Sequence, residues 1–76
     1  MRAEEESFAK NVQEIMKQRD LTQDALARLA GVGQSAISNM LNRHSRPQKR
    51  TVVKIAGALG VEPSRLWPGI ENGELD

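Results

Sequence analysis

The sequence predicts an all-α domain of five short helices. Three observations lead there. Apolar residues recur at three- and four-residue spacing through successive segments, which is the period of a helix with one buried face. Glycines and prolines punctuate those segments at Gly31, Gly60, Pro63 and Pro68, where they stop or start helices. The apolar set is aliphatic, with one Phe, one Trp and no Tyr among 76 residues, so Leu, Val, Ile, Met and Ala must fill the core.

The first helix is expected over about Ser7–Arg19, with Ser7 as its N-cap. Phe8, Val12, Ile15, Met16 and Arg19 fall at i, i+4, i+7, i+8 and i+11, and the apolar members read as core rather than as cofactor contacts. Asp20-Leu21-Thr22 is a break, after which Thr22 caps a second helix that runs to about Ala30. Gly31 stops it. A third helix is expected over about Gln34–Asn42, with Ala36, Ile37, Met40 and Leu41 inward. His44 to Gln48 is a loop, since Pro47 forces the residue before it out of helical geometry. A fourth helix spans about Lys49–Leu59, with Val52, Val53, Ile55, Ala56 and Leu59 inward, and Gly60 ends it. Pro63 opens a short fifth helix through Trp67, ended by Pro68-Gly69. One domain is expected over 1–76, with its core at about 7–67 and flexible acidic ends at 1–6 and 70–76.

A chain this short buries only about 60% of its unfolded surface. It has no Cys, so helix packing, oligomerisation or both must stabilise it. No apolar run approaches the roughly 18 residues of a membrane span, and the N-terminus lacks a signal peptide's apolar stretch. A cytoplasmic protein is therefore expected. A cleavable or ligand-sensing second module is not expected within these residues.

The net charge of +1 conceals an asymmetry. From Ala25 to Val61 there is no Asp or Glu, while Arg28, Arg43, Arg46, Lys49, Arg50 and Lys54 are basic. Such a zone suits a polyanion, and by charge alone it equally suits a solvated basic face.

The chemistry concentrates around Gly31-Val32-Gly33. Two short helices joined there form a helix-turn-helix, with Ala27 small where they cross and Gly31 able to adopt left-handed geometry. Leu26, Ala30, Val32, Ile37 and Met40 fall where that motif buries apolar groups. The outer side of the third helix then carries Gln34, Ser35, Ser38, Asn39 and Asn42, polar and uncharged. Gln and Asn make paired hydrogen bonds to adenine in the major groove, and Ser bonds donors or acceptors there.

The stretch LTQDALARLAGVGQSAISNMLN, Leu21 to Asn42, resembles the lambda-repressor-like, or XRE-family, helix-turn-helix. KIAGALGV (Lys54 to Val61) resembles that family's fourth helix, and Arg46-Pro47 the loop before it. The similarity covers about Phe8 to Trp67. It implies a double-stranded DNA partner and a transcriptional regulator, with Gln34, Ser35 and Asn39 reading bases, and Ser38 is expected in the same base-reading set. It also implies that Gln23 holds a phosphate and braces Gln34, and that Asn42 contacts a phosphate. Helix N-terminal amides near Gln23 and Gln34 attract phosphate as well. Arg43, Arg46, Lys49 and Arg50 are expected to grip the backbone without sequence preference. Arg28 and Lys54 stay open, and His44 reads as a plain loop residue.

Two departures from the lambda-repressor pattern matter. The basic N-terminal arm is replaced by Glu4-Glu5-Glu6, so wrapping of the duplex is not expected. Asp24 keeps one position of the acidic second-helix patch, but Arg28 replaces another, so repression by occlusion is expected rather than activation. A homodimer on a palindromic operator is expected, with Trp67, Ile70 and Leu75 as its interface. Leu66 is assigned to the core, whereas Trp67 suits core and interface equally. The alternative is a protein-interaction module of the same fold, such as an antitoxin that binds a partner protein. No cofactor or metal is expected. No nucleophile-base pair, carboxylate dyad, metal cluster or phosphate-binding loop is evident, so an enzyme is not expected.

Overall fold

The computed structural model describes residues 3–42 and 45–70, with side chains from Glu6 onward. Five helices follow in order: α1 Ala3–Gln18, α2 Gln23–Ala30, α3 Gln34–Asn42, α4 Lys49–Leu59 and α5 Pro63–Leu66. No strand occurs among the described residues. Helix α2 packs on α3 and α4, α1 on α3 and α5, and α4 on α5. The core they enclose contains Phe8, Val12, Leu26, Ile37, Val52, Ile55, Leu59, Leu66 and Trp67.

Helix α1 starts at Ala3, not at the expected cap Ser7, which lies exposed within it. Glutamate has high intrinsic helix propensity, so the Glu4-Glu5-Glu6 run extends the helix backwards. The segment before Ser7 is therefore partly helical rather than uniformly loose.

Three helices end by the same device. After α1 the chain turns through Asp20 at φ 57°, after α2 through Gly31 at φ 72°, and after α4 through Gly60 at φ 73°. In each case the next N–H reaches back to a carbonyl of the last turn: Leu21 to Met16 at 2.8 Å, Val32 to Ala27 at 3.0 Å and Val61 to Ala56 at 3.0 Å. These bonds satisfy carbonyls that helix termini otherwise leave orphaned. Leu21, Val32 and Val61 then pack, half-buried, against the core. The left-handed residue thus reverses the chain and returns an apolar side chain to the interior.

Helix starts are less uniform. The Thr22 hydroxyl accepts from the Ala25 N–H at 3.1 Å, as the sequence implied. Helix α3 has no side-chain cap bond; its first turn closes on the Gly33 carbonyl, which accepts from Ala36 and Ile37 at 3.1 and 3.2 Å. Pro63 opens α5.

Three expectations about burial are corrected, and one that was open is decided. Ala36 and Val53, expected inward, are exposed, Val53 by 44%. Each sits at the margin of its helix's apolar stripe, where a neighbour at i+1 or i−1 takes the inward position. Ile70, expected to offer a self-association surface, is 1% exposed, and Trp67, which suited core and interface equally, is 1% exposed as well; both complete the core of a single chain. The reason is the chain's path after α5: the Trp67 N–H bonds the Pro63 carbonyl and the Ile70 N–H bonds the Trp67 carbonyl, and the turned stretch sets Trp67 against Phe8 of α1. The interface expectation for Leu75 lies outside the described residues.

Candidate nucleic-acid interface

The site is built on α3, a helix without a single charged residue. Its inner side is fixed by Ile37, Met40 and Leu41, all buried. The outer side presents Gln34, Ser35, Ala36, Asn39 and Asn42, all exposed. Ile37 and Met40 anchor the helix while Gln34, Ser35 and Asn39 remain available to an outside partner. Ala27, expected to be small where α2 and α3 cross, is 4% exposed.

Ser38 behaves differently from its neighbours. It is half-buried, and its hydroxyl donates to Gln23 Oε1 at 2.9 Å. The brace expected between Gln23 and Gln34 is therefore made with Ser38 in this structure. The bond spans 15 positions and ties the first residue of α2 to the middle of α3. It also fixes the amide: the carbonyl faces Ser38, which leaves Nε2 as the donor end of a half-buried side chain.

Helix α3 is held from the other side as well. Gln13 Nε2 of α1 donates to the Leu41 carbonyl at 3.5 Å, one of the orphan acceptors at the end of α3. Asn11 Nδ2 does the same for the Arg65 carbonyl in α5, at 3.4 Å. Neither contact had a signal in the sequence, because the partners lie 28 and 54 positions away.

Of the expected backbone-gripping cations, Arg46, Lys49 and Arg50 are exposed. Arg46 precedes α4 in the loop 45–48, and its guanidinium carbon lies 5.4 Å from the Trp67 ring centroid. Lys49 and Arg50 open α4, and Arg50 Nε donates to Gln48 Oε1 at 3.0 Å. Lys54 is exposed one turn later. Arg43 and His44 lie outside the described residues. Arg28 pairs with Asp24 at 3.3 Å along the exposed side of α2, a local pair of small energetic weight. Among the described residues, no group of three or more His, Cys, Asp or Glu is placed to hold a metal. Among the same residues, no helix is long and apolar enough to cross a membrane.

This geometry, a buried-backed polar helix following a short helix and a left-handed turn, has a family counterpart. A family model described as helix-turn-helix, HTH_3, matches residues 12–66. The chain belongs to the HTH_3 family. The XRE-type resemblance seen in the sequence is thereby shown, and the matched stretch runs from mid-α1 to the last residue of α5. The HTH_3 domain is 38% identical over 64 residues to the HTH-type transcriptional regulator PrtR of Pseudomonas aeruginosa. That match covers 84% of the chain and 25% of PrtR. It also superposes on the crystal structure of an HTH_3 family transcriptional regulator from Vibrio cholerae with a TM-score of 0.79 at 28% identity. There it covers 86% of this chain and 36% of the other. The chain thus spans a quarter to about a third of the length of these relatives.

Proposed function

We propose that this HTH_3 domain binds double-stranded DNA with α3 in the major groove and regulates transcription. The observation that carries the reading is the outer face of α3: exposed amides and hydroxyls, no charge, and an apolar back that holds the helix in place. Gln34, Ser35 and Asn39 are the base-reading residues. Ser38 serves as a brace through Gln23. Gln23 Nε2 donates to a phosphate, and Asn42, Arg43, Arg46, Lys49 and Arg50 contact the backbone, which sets register and affinity without selecting sequence. The names of both relatives, each a transcriptional regulator, support this reading.

One module of this size makes few base contacts. A two-fold pair on half-sites about 34–36 Å apart would double them, so we infer a dimer on a palindromic operator that represses by occupying it. The pairing surface is not Trp67 or Ile70, whose side chains are enclosed. The setting is the cytoplasm, where the DNA lies. Selection of bound fragments from a random duplex pool at low ionic strength tests the reading. Enrichment of a short motif, repeated in inverted orientation, is expected. A pool that stays random while the protein is folded would overturn DNA reading by α3, and a single unrepeated motif would overturn the dimer.

A further inference from the structure

Arg46, an exposed cation, rests against an aromatic ring. Arg28 pairs with a carboxylate on its own helix, and Arg50 bonds the side chain of Gln48, two residues away. The Arg46 guanidinium lies over an aromatic face contributed by a distant part of the chain. That platform is a core residue. Trp67 is 1% exposed, and its ring lies 5.9 Å from Phe8 at an interplanar angle of 56°. Its backbone is pinned by the 3.0 Å bond to the Pro63 carbonyl. The orientation of the indole is therefore set by the packing of α1 and α5, before any partner arrives.

An indole face attracts a guanidinium electrostatically, and the planar guanidinium stacks on it in a way an ammonium does not reproduce. A long arginine side chain ordinarily loses rotamer freedom when it grips a ligand, and a pre-set platform removes part of that cost. We propose that Trp67 is a positioning residue for DNA binding: it holds Arg46 ready to grip the backbone while touching no nucleic acid itself. The proposal rests on the DNA-binding reading above. It assigns a functional consequence to a side chain whose burial alone would mark it as core.

A double-mutant cycle on duplex affinity tests it, using the enriched duplex, with circular dichroism to establish that each variant is folded. Trp67→Leu is expected to weaken binding about 2–5-fold in the wild-type background. In an Arg46→Ala background the same change is expected to have no effect. An equal loss in both backgrounds assigns Trp67 a purely structural role and overturns the proposal. So does no loss in either. Should Trp67→Leu fail to fold, Trp67→Phe, which keeps an aromatic face, is expected to bind within about 2-fold of wild type. Emission then decides the matter on a surface variant. Trp67 is the sole tryptophan, so Arg46→Ala is expected to shift its fluorescence in the absence of DNA, and an unchanged spectrum overturns the proposal. If the wild-type protein binds no duplex, the DNA-binding reading falls and this proposal with it. If it binds and the cycle is additive, only the role of Trp67 falls.

Discussion

The Ser38 hydroxyl donates to the Gln23 carbonyl oxygen across 2.9 Å, joining the first residue of α2 to the centre of α3. It is the one side-chain to side-chain hydrogen bond among the described residues that crosses the helix-turn-helix. Replacement of Ser38 by Ala is expected to remove it at a cost of about 0.5–1.5 kcal/mol in stability. The variant should also bind all duplexes more weakly, because the Gln23 amide loses its fixed orientation. Denaturant unfolding and duplex titration check this. A variant as stable as wild type that discriminates one base differently would instead return Ser38 to the base-reading set.

Gln34 stands at the exposed start of α3. The Gln34→Ala variant is expected to lose about 1–3 kcal/mol of binding to the preferred duplex and to relax preference at one base pair. Repeating the selection with the variant measures this. An unaltered motif would remove Gln34 from the base-reading role.

Lys49, exposed at the opening of α4, carries the contrasting prediction. Its replacement by Ala should weaken every duplex alike and reduce the dependence of log affinity on log salt by about 0.9. Affinity measured at several salt concentrations gives the slope. A wild-type slope would show that Lys49 neutralises no phosphate.

Two glycines of the fourth-helix region separate backbone geometry from space. A Cβ added at Gly57 or at Gly60 meets nothing within 4 Å. Gly57 lies in the helix, whereas Gly60 turns at φ 73°. Gly57→Ala is therefore expected to stabilise the domain by about 0.5–1 kcal/mol. Gly60→Ala is expected to destabilise it by about 1–2 kcal/mol. Thermal melts of both variants decide the signs. Equal shifts would mean that the left-handed turn is not what Gly60 supplies.

The same logic gives Asp20 the opposite sign. It holds φ 57° without being glycine, so Asp20→Gly is expected to raise stability by up to about 1 kcal/mol. A lower melting temperature would show that the Asp20 side chain contributes more than its backbone strain costs.

Much of the fold was legible before any coordinates. Helices α2, α3 and α4 match their expected bounds because caps, glycines and apolar spacing are local signals: Thr22, Gly31 and Gly60 act within one turn of where they stand. The polar face of α3 was legible for the same reason, since periodicity alone puts Gln34, Ser35 and Asn39 opposite Ile37 and Met40. The start of α1 was misjudged because a serine can cap a helix or sit within one, and the glutamates before it favour the second.

What the sequence by itself determined is therefore the set of helices, their termini, and which side of each is apolar, because those follow from contacts a few residues apart. Only the tertiary structure decided that Trp67 and Ile70 belong inside the chain, that Ser38 turns to Gln23, that Gln13 caps α3 and that Arg46 rests on Trp67. These pairings join distant positions, and their geometry exists only once packing has fixed how the helices lie against one another. A periodic pattern says which residues face inward; it carries no information about which residue of another helix each will meet.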